Sequence, residues 1–196
     1  MVREGAGTEM VGDGARTGHT SRMAQGYVPE PDNDGIRRWT VAAALIQRDG
    51  ELLLVHNRRR GGHSDWTTPG GVIEAGEVTL DGLAREVVEE SGIVVHDWSP
   101  IVYSVEASAP GMGWQMRVET YRAVTWSGEI EINDPDGIVV DASFAPEQHS
   151  RARLAGSAQW VSEPLGEWLS EPWNDHRPYR YAIAGADRTA LDVVRL

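Results

Sequence analysis

The chain contains no cysteine. Disulfides, thiolate zinc sites, iron–sulfur clusters and cysteine nucleophiles are thereby excluded. Nothing in it approaches the ~18 consecutive apolar residues that a membrane-spanning helix requires. The first thirty residues also lack the apolar core of a signal peptide. Cytoplasmic residence with no membrane partner is the resulting expectation. Phenylalanine is nearly missing as well, with Phe144 alone against eight tryptophans. Positive charge is scarce: 18 Lys and Arg stand against 30 Asp and Glu, a formal net charge of −12. A field of that sign repels phosphate backbones, so no nucleic-acid partner is expected. The same field suits a protein that recruits divalent cations to carboxylates.

The rest of the composition is ordinary. At 196 residues, 40% hydrophobic and 24% charged, the chain has room for one domain with one core and some tail. Residues 1–36 are rich in Gly, Thr, Ser, Asp and Glu, show almost no apolar periodicity, and read as a flexible leader. Residues 37–175 carry the domain. Residues 176–196 read as an extension that packs on the domain or on a partner subunit.

Within the domain, residues 39–46 and 51–55 read as strands joined by a hairpin turn at Asp49-Gly50. A polar loop rich in Arg and Gly covers 56–65, and residues 66–73 form a short strand interrupted by Gly70-Gly71. Residues 79–91 make the clearest helix, with Thr79 as its cap, Asp81 in the first turn and Gly92 just past the end. Strand-like runs follow at 101–107, 116–126 and 137–144. Helices are expected within 146–154 and over 164–169, and two short runs flank Gly185-Ala186-Asp187. Antiparallel hairpins with few helices predict an α+β sandwich.

The helix carries the chemistry. At 100° per residue, Leu80, Leu83, Ala84, Val87 and Val88 share one face, while Glu86, Glu89 and Glu90 share the other. Three carboxylates within one turn repel one another by roughly 0.2–0.5 kcal/mol per pair. A solvated acidic face tolerates that cost. Here, however, the acids lie at the C-terminal end of the helix, where the dipole disfavours them. They also follow a glycine pair whose carbonyls can approach a cation. Oxygen-rich clusters of this kind suit Mg²⁺ or Mn²⁺.

Residues 71–93 read GVIEAGEVTLDGLAREVVEESGI. This resembles the signature of the Nudix hydrolase family: Gly, five residues, Glu, seven residues, Arg-Glu, an apolar residue, any residue, Glu-Glu, any residue, Gly, apolar. All nine specified positions are satisfied without a gap. A looser likeness covers about residues 39–169. The resemblance implies an α/β/α Nudix sandwich with a mixed sheet and a loop–helix–loop catalytic motif. It implies that Glu86, Glu89 and Glu90 ligate Mg²⁺ or Mn²⁺, with the Gly70 carbonyl as a further ligand and Glu77 binding directly or through water. Arg85 resembles the motif arginine that orients these carboxylates. The general base is Glu89, or an acid on the later segment 129–137, Asp136 or Glu131.

The implied reaction is hydrolysis of a phosphoanhydride bond in a small-molecule nucleotide. Arg58, in the run Arg58-Arg59-Arg60, is placed to grip a phosphate bidentately. Trp66, Trp114 and Trp126 are candidates to stack on a base, though tryptophan is commonly a core residue. Pro110, seventeen residues beyond Ile93, stands where ADP-ribose hydrolases of the family carry a proline. Three readings remain open. One is cleavage of a nucleoside diphosphate linked to another group, such as ADP-ribose. Another is cleavage of a nucleoside triphosphate, oxidised or not, to monophosphate and pyrophosphate. The third is a nucleotide-sensing module without turnover, against which the intact acidic set argues. A homodimer is the assembly that many relatives adopt.

Overall fold

A computed structural model of the chain describes residues 28–59, 62–185 and 191–196. Most of the expected leader, Arg60 of the arginine run and the turn at Ala186-Asp187 lie outside the described residues. The elements run in the order β1 (Arg37–Leu45), β2 (Gln47–Arg48), β3 (Glu51–Arg58), β4 (Ser64–Thr67), β5 (Gly70–Val72), α1 (Thr79–Ser91) and β6 (Val94–Ala109). After them come β7 (Trp114–Ser127), β8 (Val139–Ala145), α2 (Glu147–Leu154), α3 (Gln159–Ser170), β9 (Arg177–Ala184) and β10 (Asp192–Arg195).

Two sheets result. The larger has the strand order β10-β9-β6-β7-β1-β5, and the smaller is β2-β3-β4 with β8 added against β3. The larger sheet is mixed, because β1 runs parallel to β7 and β6 parallel to β9, with its other pairings antiparallel. The helices take opposite sides. On one side α1 buries Leu83 and Val87 with Ala42, Ala44, Ile46 and Tyr121. On the other, Leu154 of α2 and Leu165, Trp168 and Leu169 of α3 pack with Leu52, Leu54, Val105, Tyr179 and Tyr181. Each fully buried Leu or Val contributes about 1.5–3 kcal/mol relative to exposure, so the two clusters hold the layers together. The architecture is the expected α+β sandwich with a mixed sheet.

The strand periodicity in β1 explains its position. Ala42 and Ala44 are fully buried under α1, while Val41 and Ala43 between them are half-buried on the opposite face. The Asp49-Gly50 turn forms as the sequence implied. Both residues take positive φ, 52° and 84°, and Arg48 pairs with Glu51 across the turn.

Several boundaries differ from the sequence expectation. Thr79 is the first helical residue rather than the cap. Val78 occupies the cap position and no side chain bonds there. Val88, expected on the buried face, is 40% exposed, and Ser91 is buried in its place through a bond from its hydroxyl to the Val87 carbonyl. The helix therefore rolls its acidic face inward instead of presenting it to solvent. The strand expected from residue 101 starts at Val94, because register shifts between Val95 and Tyr103 break the alternation that marks a strand. The helix expected from Pro164 begins at Gln159 and runs through the proline.

Candidate active site

The site is built where α1 meets the edge strand β5. At the end of the helix Gly92 takes φ 73° and returns its N–H to the Val88 carbonyl, a left-handed stop that favours glycine. The chain later comes back past this end. Glu131 donates its N–H to the Ser91 carbonyl at 2.9 Å, and Asn133 donates to the Glu89 carbonyl at 2.8 Å. The acidic segment 129–137 is thereby fastened to the last turn of α1 by the helix's own unsatisfied carbonyls.

At the start of the motif, Gly71 faces the acidic side of α1. A Cβ at Gly71 would lie 2.5 Å from the Glu86 carboxyl carbon, so only glycine lets the strand approach this closely. The neighbouring Gly70 N–H donates to Glu90 Oε2 at 2.8 Å. Arg85 stands among the remaining acids. Its Nη1 donates to Glu86 Oε1 at 2.8 Å and reaches Glu89 Oε2 at 3.5 Å, while Nε and Nη2 contact the two oxygens of Glu77 at 3.2 and 3.3 Å. One guanidinium thus fixes three motif carboxylates. Glu77 also accepts the Glu74 N–H at 3.1 Å, which closes the turn before the helix.

Electrostatics sort the acids. Burial pushes the Glu90 carboxyl up to about 8, and the charges of Glu86 and Asp134 add to the rise. The Gly70 N–H and the Arg59 charge oppose it without cancelling it. Burial also raises Glu86, against the Arg85 guanidinium, with Glu89 and Asp136 adding repulsion. Glu77 goes the other way. Burial raises it, but the Arg85 and Glu74 hydrogen bonds prevail and hold it below the usual carboxylate range. Ionisation is therefore costly at Glu86 and Glu90, beyond what Arg85 and Arg59 offset.

Among the described residues no three His, Cys, Asp or Glu converge closely enough to form a ready metal cage. The donor set nonetheless fits Mg²⁺ or Mn²⁺. It consists of hard oxygens, burial makes ionisation of Glu86 costly, and Gly71 lets the Glu86 carboxyl lie directly against β5.

The other sequence candidates are placed as follows. Asp136 lies near enough to Glu86 to raise its proton affinity, and its N–H donates to Asp134 Oδ1 at 3.0 Å. Arg58 ends β3 with an exposed side chain, and its N–H donates to the Ile138 carbonyl at 2.8 Å, beside the acidic segment. Trp66 is not an open stacking platform. The His56 ring lies parallel to it at 4.7 Å, and the Arg153 guanidinium lies 4.1 Å over it. Trp114 packs against Trp160, and Trp126 stacks with Phe144.

One residue escaped the sequence reading. Asp134 organises the acidic segment by accepting the N–H groups of Ile138 and Val139 at 2.6 and 2.7 Å. Its signal was the Asp-Pro-Asp-Gly turn pattern at 134–137. Arg59, paired with Asp65 at 3.0 Å, supplies the cationic influence on Glu90.

An apolar stretch of the larger sheet lies beside this site. The register pairs Trp39 with Met116, Val41 with Val118 and Ala43 with Thr120, so Trp39, Val41, Ala43, Met116 and Val118 share the sheet face opposite α1. All five are half-buried. Trp66 of β4 and Trp160 of α3 pack against the same buried cluster as Val118. Ala43 is the partner of Gly70 on β5, so this sheet face and the carboxylates meet at the glycine pair.

Comparison with known proteins places this arrangement. The family model of the NUDIX domain matches residues 36–168. A MutT-like protein of Streptomyces ambofaciens is 45% identical over 56 residues, 29% of this chain and 34% of that protein. The RNA pyrophosphohydrolase of Rhodopseudomonas palustris is 32% identical over 120 residues, 51% of this chain and 70% of that protein. The human 8-oxo-dGDP phosphatase NUDT18 is 33% identical over 72 residues, 37% of this chain and 22% of that protein. The chain spans about a third or less of the first relatives matched, 34% and 20% of their lengths. Among solved structures, the E. coli ORF135 protein superposes with TM-score 0.58 at 20% identity, covering 71% of this chain and 96% of that one. At that identity the likeness speaks for the fold alone. The matched span encloses the glycine pair, α1 and the acidic segment that returns to it, and the chain belongs to the Nudix family.

Proposed function

We propose that this protein is a divalent-metal-dependent pyrophosphohydrolase that cleaves a phosphoanhydride in a nucleoside diphosphate linked to a second group, of the ADP-ribose or nucleotide-sugar kind. The observation that carries the reading is the packing of Glu86 and Glu90 against the glycine pair, with burial raising both and Glu89 one turn away sharing the Arg85 guanidinium. Carboxylates in that condition gain from a hard cation between them and a phosphate.

Glu86, Glu89 and Glu90 would hold the cation, which would supply neutralisation of phosphate oxygens and a more acidic water. The chain's own groups do the rest. Arg85 holds Glu77 and Glu86 in fixed directions, which limits the reorganisation needed when substrate arrives. Glu89 or Asp136 takes the proton from the attacking water, a step worth about 10²–10⁴-fold. Arg58, exposed at the end of β3, grips the outer phosphate. The apolar sheet face takes the base and excludes water from one end. Ala43 and Trp39 lie four residues apart on β1, about 13 Å of extended strand. That span fits a nucleotide with its base at Trp39 and its phosphates at the glycine pair.

The names of the relatives favour a second reading. An 8-oxo-dGDP phosphatase, a putative 8-oxo-dGTP diphosphatase and an RNA pyrophosphohydrolase are among the matches, which points toward nucleotides with unlinked terminal phosphates. Incubation with Mg²⁺ or Mn²⁺ and a nucleotide panel, with products identified by mass, separates the cases. Monophosphate plus a phosphorylated sugar supports the first reading, and monophosphate plus pyrophosphate the second. No turnover on any substrate leaves a non-catalytic nucleotide sensor.

A further inference from the structure

Strands β9 and β10 lie beyond the span matched by the family, yet they grip the helix that borders the apolar sheet face. Arg195 Nη1 donates to Glu163 Oε1 at 2.7 Å and to Glu167 Oε1 at 2.5 Å. The Tyr181 hydroxyl donates to Glu163 Oε2 at 3.1 Å, and the Tyr179 hydroxyl donates to Glu167 Oε2 at 2.7 Å. Both tyrosines are buried, Tyr181 at 1% and Tyr179 at 3% exposure, so their hydroxyls depend on these carboxylates for partners. The Arg195 guanidinium also lies 4.6 Å over the Tyr179 ring. Glu163 and Glu167 stand four residues apart on α3, where like charges repel unless a cation joins them. One arginine and two phenols therefore convert a repulsive pair into a clasp.

The clasp matters because α3 is weak by itself. Pro164 sits inside it and supplies no N–H for the carbonyl of Trp160 one turn earlier. The first turn, which carries Trp160, is thus joined to the rest of the helix with one bond fewer. Trp160 carries α3 onto the apolar sheet face at Trp114. Its ring lies 6.1 Å from that of Trp114, and both it and Met116 pack against the cluster of Ala107, Ala109 and Ile183. The direction of this ring follows from where α3 is held, and α3 is held from Glu163 and Glu167.

We infer that Arg195, with Tyr179 and Tyr181, is a positioning group for the substrate: it fixes α3 so that Trp160 borders the sheet face that receives the base. The inference rests on the nucleotide-hydrolase reading above. It assigns Arg195 a role in affinity and none in the chemical step.

The test is steady-state kinetics of full-length Arg195→Ala on the nucleotide that wild type turns over best, beside hydrogen exchange of the α3 amides. KM rises by roughly three- to thirty-fold, the scale of couplings carried by packed elements. The value of kcat stays within about twofold, because no transition-state contact is removed. Exchange quickens over residues 159–170 and not in α1. Arg195→Lys, which keeps the charge but loses the planar fork, recovers part of the KM. The pair Tyr179→Phe and Tyr181→Phe keeps the buried rings and reproduces the KM effect without Arg195 being touched. Unchanged KM, or kcat falling while KM stays, overturns the inference and leaves the functional reading standing. Exchange quickening equally throughout the protein overturns it too, because the effect is then global. If wild type turns over no nucleotide, the functional reading fails and this inference falls with it.

Discussion

The backbone N–H of Gly70 donates to Glu90 Oε2 at 2.8 Å and joins the edge strand β5 to the last turn of α1. This bond opposes the burial that drives the Glu90 carboxyl up to about 8, yet it does not restore an ordinary acid. Glu90 is held where ionisation is costly, and a cation lowers that cost.

Stability should record the strain. The native state keeps the Glu90 proton to about pH 8, while the unfolded chain loses it near the ordinary 4.5. The native state thus binds more protons between those values, and the stability from this group, fully present below 4.5, is lost as pH rises through 8. With a chelator present, Glu90→Gln should melt a few degrees above wild type at pH 8 and level with it near pH 4.5. Saturating Mg²⁺ should raise the wild-type melting temperature more than that of the variant. Thermal unfolding monitored by circular dichroism across this pH range checks the sign.

Arg85 acts through geometry as well as charge. It contacts Glu77 through two nitrogens and Glu86 through a third. Arg85→Lys keeps the charge but cannot span these acids, so it should lose about 10–100-fold in activity or metal affinity, and Arg85→Ala should lose as much. Isothermal titration with Mn²⁺ and initial rates measure both.

A methyl group at Gly71 would meet the Glu86 carboxyl at 2.5 Å. Gly71→Ala should therefore displace Glu86 and cost about 10–100-fold in metal affinity or turnover. The far-ultraviolet dichroism should stay near that of wild type, because β5 is a short edge strand.

The base is assigned by comparing Glu89→Gln with Asp136→Asn. Loss of the proton acceptor lowers kcat by about 10²–10⁴-fold. The acidic limb of the pH–rate profile should disappear only in the variant that removes the base. If both variants keep wild-type rates, neither residue accepts the proton.

Much of this was legible in the sequence, for identifiable reasons. The spacing of the residues from Gly71 to Ile93 defined α1 and its acids because helix period and side-chain chemistry agree there. Asp49-Gly50 announced its turn because few residue pairs take two positive φ values. Other features depend on partners distant in sequence. Val88 and Ser91 exchanged places because the acidic face of α1 packs against β5 and the returning segment 131–133, contacts that a helical wheel does not contain. The start of β6 was hidden by register shifts between Val95 and Tyr103 that disrupt alternation. Pro164 read as a helix start because its cost was visible, while the contacts of Leu165, Trp168 and Leu169 that offset it were not. Trp66 read as a stacking platform because nothing local showed that His56 and Arg153 already cover it.

The central claim is that Glu86, Glu89 and Glu90 hold a divalent cation beside the glycine pair. Soaking crystals in Mn²⁺ and collecting anomalous diffraction tests it most directly. A manganese peak is expected within about 2.5 Å of oxygens from at least two of these glutamates, close to Gly70. A peak only elsewhere, with these carboxylates still gathered around Arg85 at saturating Mn²⁺, would contradict it.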